Sequence, residues 1–389
     1  MIVEFASSTA SPATIQDLPT PALLLDVGRL RRNALRVRTK AQALGVRLRP
    51  HLKTAKSVEV ARLLTAGGEP RITVSTLAEA RYFFGAGFDD ILYAVGIAPG
   101  KLPQVADLVA AGCRLTVVVD NVPMAEAVQR FAAASGLVVP VMIEVDTDGH
   151  RAGIEPDDPQ LIDVAVALHA GPGVAFAGVM THAGDSYGCR SVQQFEAMAA
   201  KECAGISRAA ARLAAAGFPC AEVSIGSTPT AHYARALPGV TELRAGVYGF
   251  GDLAQAGLGT CAIDDIAISV LCSVIGHRPK LGRIIVDAGF LALSRDRSTA
   301  TQPVDWGFGA VCRAEDGQLL ENLVVSGTNQ EHGIITARNG EPDYAALPIG
   351  SQLRILPNHA CATAAAYDRY HLVEGSSALR GTWPRVNGW

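Results

Sequence analysis

A rhythm in the chain constrains its fold more than any single residue does. Short apolar runs fall at Val46–Arg49, Ile72–Ser75, Ile91–Val95, Leu115–Val119, Val139–Val145, Phe176–Thr181, Glu222–Ile225 and Glu242–Val247. Between them apolar residues recur at helical spacing: Ala55–Ala66, Leu77–Ala86, Pro99–Ala111, Val122–Ala134, Pro159–Ala170 and Val192–Ala216. A last interval, Thr228–Ala236, has room for a turn or two. Buried strands alternating with helices read as parallel βαβ units. Eight such repeats predict a (β/α)8 barrel in preference to an open, doubly wound sheet.

The rhythm breaks at both ends. Ala22–Asp26 precedes it as an extra strand expected to join something outside the barrel, and an arginine-rich helix is expected over Val27–Leu44. After about Phe250, strand-like segments (Ile266–Gly276, Arg283–Val286, Leu320–Ser326, Gln352–Leu356) are separated by Gly/Pro/Asp-rich turns without clear helices. That pattern predicts a mostly antiparallel β domain. The expected organisation is residues 1–26 associated with the β domain, 27–255 as the barrel, and 256–389 as the β domain.

Composition narrows the partners. The net charge is −3 and no basic tract or acidic tail is present, which argues against nucleic acid and anionic membrane. No apolar run approaches the roughly 18–20 residues of a membrane span. Met1–Ala10 lacks a basic start and a long apolar core, so no secretory signal is expected. The eight cysteines form no framework of close pairs, and reduced thiols in the cytoplasm are the expectation.

Barrel enzymes carry their chemistry where strands end. Lys53, in Leu48-Arg49-Pro50-His51-Leu52-Lys53-Thr54-Ala55-Lys56-Ser57, falls near such an end. A lysine in a dry site can present a free amine and form a Schiff base with a carbonyl cofactor; a surface lysine at a helix start is the alternative. Lys56 is expected within the following helix, in solvent. Gly226-Ser227-Thr228 follows a late strand and opens a helical turn, the place for a phosphate cradle that Gly246 and Tyr248 could complete. The same triplet is also ordinary turn chemistry. The loop Asp146-Thr147-Asp148-Gly149-His150-Arg151 suits an arginine facing the phenolate oxygen of a pyridine cofactor, or equally a charged turn with a local ion pair. In Pro357-Asn358-His359-Ala360-Cys361, extended geometry would put His359 and Cys361 on one face to grip a metal ion. Imidazole plus thiolate suits Zn²⁺, and two ligands imply an open site.

Together, Arg-Pro-His-Leu-Lys-Thr, Asp146–Arg151, Thr181-His182-Ala183-Gly184 and Pro357–Cys361 resemble the fold-type III pyridoxal phosphate enzymes. Within that group they resemble the D-serine dehydratase and D-threonine aldolase branch, related to alanine racemase. Ile72–Leu77, Asn329–Gly333 and Gly388-Trp389 are similar to the bacterial D-threo-3-hydroxyaspartate dehydratases. The resemblance implies pyridoxal 5'-phosphate on Lys53, Arg151 beside its phenolic oxygen, His182 against its ring and Tyr187 near the pyridine nitrogen. It also implies Gly226, Ser227, Thr228, Gly246 and Tyr248 around the phosphate, and His359 and Cys361 on Zn²⁺ or another divalent metal. The implied reaction is dehydration of a D-β-hydroxy amino acid, D-threo-3-hydroxyaspartate or D-serine, to a 2-oxo acid and ammonia. Lys53 would be the base for the α-proton. Arg190, Arg295 and Arg297 are the candidates for a second substrate carboxylate. Aldol cleavage to glycine and an aldehyde is the nearest alternative, with racemisation or a non-catalytic cofactor carrier further off; aspartate is typical of the aldolases where Cys361 stands. By analogy the enzyme is expected to be a homodimer.

Overall fold

The computed structural model describes residues 13–389, which divide into two units. Strand β1 (Ala22–Asp26) and the first residues of helix α1 (Val27–Ala43) belong to one; Leu30–Asp265 and Pro384–Trp389 form the other.

The second of these is the barrel. Its strands are β2 (Arg47–Pro50), β3 (Arg71–Val74), β4 (Asp90–Gly96), β5 (Arg114–Val119), β6 (Val139–Glu144), β7 (Val174–Met180), β8 (Glu222–Ile225) and β9 (Glu242–Ala245). They lie in the order β2-β9-β8-β7-β6-β5-β4-β3, and their pairings are parallel. A parallel bridge between His51 and Thr73 closes the ring, backed by Leu52 N–H donating to Thr73 O at 2.8 Å. Between and after the strands run α2 (Val58–Thr65), α3 (Leu77–Gly85), α4 (Leu102–Ala110), α5 (Val122–Ala134), α6 (Gln160–Leu168), α7 (Val192–Ala215) and the short α8 (Thr228–Tyr233).

Several helices of the barrel begin on a capping side chain. Thr76, Asn121, Ser191 and Ser227 each accept a hydrogen bond from the amide three residues on, at 3.0, 2.9, 3.3 and 3.2 Å. Each satisfies one of the amides a helix start leaves without a partner. Thr76 and Asn121, polar residues just after strands, are therefore accounted for by the fold.

Lys56 corrects a sequence expectation. It lies outside α2 in a left-handed conformation (φ +48°), and its ammonium is 3.3 Å from the buried Glu79 carboxylate. The apolar spacing that suggested a longer helix belongs to a packed loop.

The β unit holds one mostly antiparallel sheet: β10 (Ile268–Arg278), β11 (Arg283–Val286), β12 (Ala310–Arg313), β13 (Leu319–Thr328), β14 (Gly333–Ala337), β15 (Gln352–Leu356), β16 (Arg369–Val373) and β17 (Thr382–Pro384). Its order is β11-β14-β13-β12-β15-β10-β1-β16-β17, and β10 also pairs with β11, closing six strands into a ring. Strand β1 runs antiparallel to β10 and parallel to β16. No helix among the described residues is long and apolar enough to cross a membrane.

Candidate active site

The barrel mouth is built on the loops after β2, β6, β7, β8 and β9. Lys53 stands in the turn after β2, with Leu52 fully buried and Thr54 and Ala55 buried on either side of it. Burying Leu52 contributes roughly 1.5–3 kcal/mol to holding that turn on the barrel. No carboxylate among the described residues lies within ion-pair distance of the Lys53 ammonium. Gly246 packs against the same turn: a β-carbon there would stand 2.9 Å from His51 O, so only glycine allows this approach.

His182, two residues past β7, is placed through Nδ1, which donates to Gly226 O at 2.6 Å. That fixes the tautomer and leaves Nε2 as the acceptor. Burial, opposed by the Gly226 bond and reinforced by the positive charges of Lys53, Arg151 and Arg244, pulls the ring down to about 3. His51 is pushed well below its ordinary value by burial and then by Lys53, Arg244 and His182. The same charges thus surround both rings, and each imidazole is neutral at physiological pH.

Arg151 sits exposed in the loop after β6, its guanidinium 3.5 Å from Glu144 Oε1. Elsewhere that loop is internally bonded: Asp146 accepts from the amides of Asp148 and Gly149, and His150 Nδ1 meets Asp185 at 2.9 Å. Tyr187 lies exposed on the turn Gly184–Gly188, and its carbonyl accepts from Arg190.

Ser227 caps α8 reciprocally with Thr230 and hydrogen-bonds Ser186 at 2.9 Å. Gly226 has φ +154°, and a β-carbon there would strike Arg244 O. Thr228 and Tyr248 line one small cavity with Arg36, His232 and Gln255. The Tyr248 hydroxyl is buried without a partner among the described residues.

Two supporting residues, Glu202 and Glu144, went unread in the sequence, while Arg244 was read there among the polar residues at strand ends. Glu202 on α7 is fully buried, and its Oε1 accepts from Ala183 N (3.2 Å) and Gly226 N (3.0 Å), joining the His182 loop to the Ser227 turn. Its place among Phe195, Ala199, Ile206 and Ala209 on the buried face of α7 was the available signal: a carboxylate at a core position. Glu144 ends a buried strand, and burial raises both carboxyls. Arg244, buried on β9, donates to Ser224 Oγ and Thr181 O.

In the β unit, His359 is the extended N-cap of the helix Ala360–Ala364, and Cys361 lies inside that helix. The extended-strand argument for pairing the two is thus overturned: the chain turns helical after His359. His359 Nδ1 meets Asp296 Oδ2 at 3.2 Å, directing Nε2 elsewhere. Burial would raise the Asp296 carboxyl, but bonds from His359 and Ser298 outweigh it and bring it to about 2. A carboxylate behind an imidazole is the usual support of a metal-ligating histidine. No group of three or more metal-ligating side chains occurs among the described residues. Of the arginines considered for a second carboxylate, Arg297 pairs with Asp305, Arg190 donates to backbone carbonyls, and Arg295 lies over the Phe290 ring.

A closed parallel barrel with a lysine turn, a neutral histidine and a late capped turn, followed by an antiparallel β unit, defines the class. The chain belongs to the family of the alanine racemase N-terminal domain, matched over residues 25–254, with a serine dehydratase domain matched over 267–373. That family is pyridoxal phosphate-dependent, and the chain is an enzyme of it acting on small amino-acid substrates. Among relatives, D-threo-3-hydroxyaspartate dehydratase of Delftia sp. (strain HT23) is 49% identical over 97% of this chain and 99% of its own length. Its solved structure superposes with a TM-score of 0.94, 48% identity and coverage of 97% and 100%. A further structure of that enzyme is described as a cysteine-to-alanine mutant in the metal-free form. D-serine dehydratase of Dictyostelium discoideum is 31% identical over 96% of this chain and 98% of its own length, and D-threonine aldolase of Arthrobacter sp. 31% over 90% and 87%.

Proposed function

We propose that the chain is a pyridoxal phosphate- and metal-dependent dehydratase, converting a D-β-hydroxy amino acid to a 2-oxo acid and ammonia. The observation that carries the reading is the barrel mouth itself. A lysine without a carboxylate partner among the described residues stands among neutral histidines, arginines and glycines that allow close backbone approach. Such a mouth accepts an anionic ring cofactor. Lys53 would be its tether, with Arg151 on the side of the phenolic oxygen, His182 on that of the ring and Tyr187 on that of the pyridine nitrogen, as the resemblance implies. Gly226, Ser227, Thr228, Gly246 and Tyr248 hold the phosphate. When bound, the cofactor supplies an electron sink at Cα, and a metal on His359 and Cys361, proposed as Zn²⁺, supplies Lewis acidity for the departing hydroxyl. Lys53 Nζ takes the α-proton, as a desolvated amine can. The division of labour follows the chain: residues 27–255 bind the cofactor, and 256–389 carry the metal ligands.

Cysteine at 361 favours elimination over aldol cleavage, because the resemblance puts an aspartate at that place in the aldolases. The substrate favoured by the Delftia relative's name is D-threo-3-hydroxyaspartate, with D-serine second. A cytoplasmic homodimer completes the reading; the eight free thiols fit a reducing compartment.

The test is incubation with D-threo-3-hydroxyaspartate, D-serine and D-threonine, with assays of 2-oxo acid and ammonia against glycine and aldehyde. The first pair of products is expected, and glycine as the main product would replace elimination with aldol cleavage. Lys53→Ala should abolish the visible absorbance of the lysine-bound cofactor and lower turnover by about 10⁴-fold. A retained absorbance would remove Lys53 from the role. Chelator treatment with metal analysis should lower turnover by roughly 10²–10³-fold, restored by Zn²⁺.

A further inference from the structure

The turn that carries Lys53 lies outside regular helix and strand, and one residue in it is in a costly conformation. Lys56 has φ +48°, a region that residues with a β-carbon enter only when their surroundings impose it. Within the turn, Lys56 N–H donates to Leu52 O at 2.8 Å. From the α3 side, Glu79 takes the Lys56 ammonium.

The remaining support comes from residues 384–389, more than three hundred positions along the chain and part of the same unit. Val386 N–H donates to Lys56 O at 2.8 Å, bonding the carbonyl of the strained residue. Arg385 is buried, and its guanidinium forks onto the preceding two carbonyls: Nε donates to Ala55 O at 3.2 Å and Nη2 to Thr54 O at 3.3 Å. Three consecutive carbonyls, those immediately after Lys53, are thus held by two adjacent residues. A planar, permanently charged fork suits two neighbouring carbonyls as a single ammonium does not.

We propose that residues 384–389 are a strap that fixes the Lys53 turn, and that Arg385 is a positioning residue for the lysine's chemistry. The proposal rests on Lys53 being the cofactor's tether and proton carrier. A proton transfer from Cα depends on where Nζ swings. Displacing a reacting group by about an ångström costs on the order of 10²-fold, so the anchor of the turn matters although it touches neither cofactor nor substrate. In the opposite arrangement the turn would merely dock the tail, and loosening the tail would leave Lys53 where it is.

Arg385→Ala and Val386→Pro, the second deleting one N–H, are compared with Arg385→Lys and the unaltered holoenzyme. Amide exchange of a peptide covering residues 52–57 should quicken about tenfold or more in the first two variants, with peptides from β5 and β6 unchanged. Turnover should fall about tenfold or more with KM within about threefold. The pH midpoint of the lysine-bound absorbance should move, and Arg385→Lys should recover part of each effect. Unchanged exchange at 52–57, or equal quickening throughout the barrel, would overturn the strap. So would a faster turn with turnover and the pH midpoint unaltered. The exchange measurement does not need the cofactor: if the unaltered protein lacks a lysine-bound absorbance, the reading of Lys53 fails while exchange still reports on the turn.

Discussion

At the base of the barrel, where the strands begin, Arg47, Arg49, Arg71 and Arg114 each have a carboxylate oxygen within 3.3 Å. Most of these charges are the first residues of their strands: Arg47, Arg71, Asp90, Arg114, Glu222 and Glu242. At the mouth, where the strands end, Lys53, Arg151 and Arg244 crowd two neutral histidines. Of the carboxyls nearby, Glu144 pairs with Arg151 and Glu202 accepts from backbone amides. The base pairs its charges, whereas at the mouth Lys53 has no carboxylate within ion-pair distance among the described residues. The ends are joined by one thread of hydrogen bonds, Asp90–Arg49–Glu242–Ser224–Arg244–Thr181 O. The contrast between the ends thus lies in one lysine without a carboxylate partner among the described residues, not in the overall charge.

Glu242→Gln strikes the base hardest. Glu242 is buried, 2.6 Å from Arg49 Nε, and neutralising it leaves Arg49 with Asp90 alone. Breaking a buried pair costs about 3–5 kcal/mol, read as a shift in a denaturation midpoint, with kcat of the folded fraction near that of the unaltered enzyme. A large loss of kcat without lost stability would show that the thread serves catalysis, blurring the contrast between the ends. At the mouth, Glu202→Leu leaves two buried amides without acceptors, at about 1–3 kcal/mol each. Cofactor affinity should fall by about 10–100-fold in an absorbance titration. Glu202→Gln should bind nearly as well, because an amide oxygen can still accept both bonds. Equal losses in the two variants would mean that charge, not the bond geometry, is what the turn needs.

The fold was legible because a repeated period survives local noise: eight strand–helix units tell a barrel even when boundaries slip by a few residues. Strands β12, β14 and β16 were missed, and length alone does not explain it, since β11 and β15 are as short and were read; outside the barrel no repeated period marks where the next strand should fall. At the site, local stretches such as the Lys53 turn, the Arg151 loop and the Ser227 turn could be singled out from strand-end position alone. The base ring and Arg385 could not, because their partners are distant in sequence and only the folded chain brings them together, whereas Glu202 was missed although a carboxylate at a core position of α7 was its signal. His359-X-Cys361 shows the converse failure: the spacing was visible, but a helix start replaced the extended geometry assumed for it.

Acid should separate the ends more gently. His182 titrates near 3 in the fold and near its ordinary value when unfolded. Between those values the unfolded chain binds a proton that the fold refuses, so stability falls as pH drops through about 6.5, by up to about 1.4 kcal/mol per pH unit for each such histidine. His51 has the same sign, while Glu144 and Glu202, raised by burial, oppose it. Comparing denaturation midpoints of the unaltered protein and His182→Gln between pH 4 and 7 isolates one histidine's share. A parallel pair of curves would place a charged His182 in the fold and sink the neutral-imidazole reading.

The smallest effect belongs to the rim of the base. Arg114 is 65% exposed, 3.3 Å from Asp89 and 3.8 Å from Asp90. Water screens such pairs, so Arg114→Ala should cost no more than about 1 kcal/mol and leave turnover untouched. Asp90 also binds Arg49 and Arg71, so the variant asks whether the ring acts as pairs or as a network. A loss well above that bound would mean removing an exposed member loosens the buried ones, and the base would then be cooperative to its edge. A loss within it leaves the stabilising charge with the less exposed members of the ring, Arg49, Arg71, Asp90 and Glu242, at the root of the thread that runs toward the mouth.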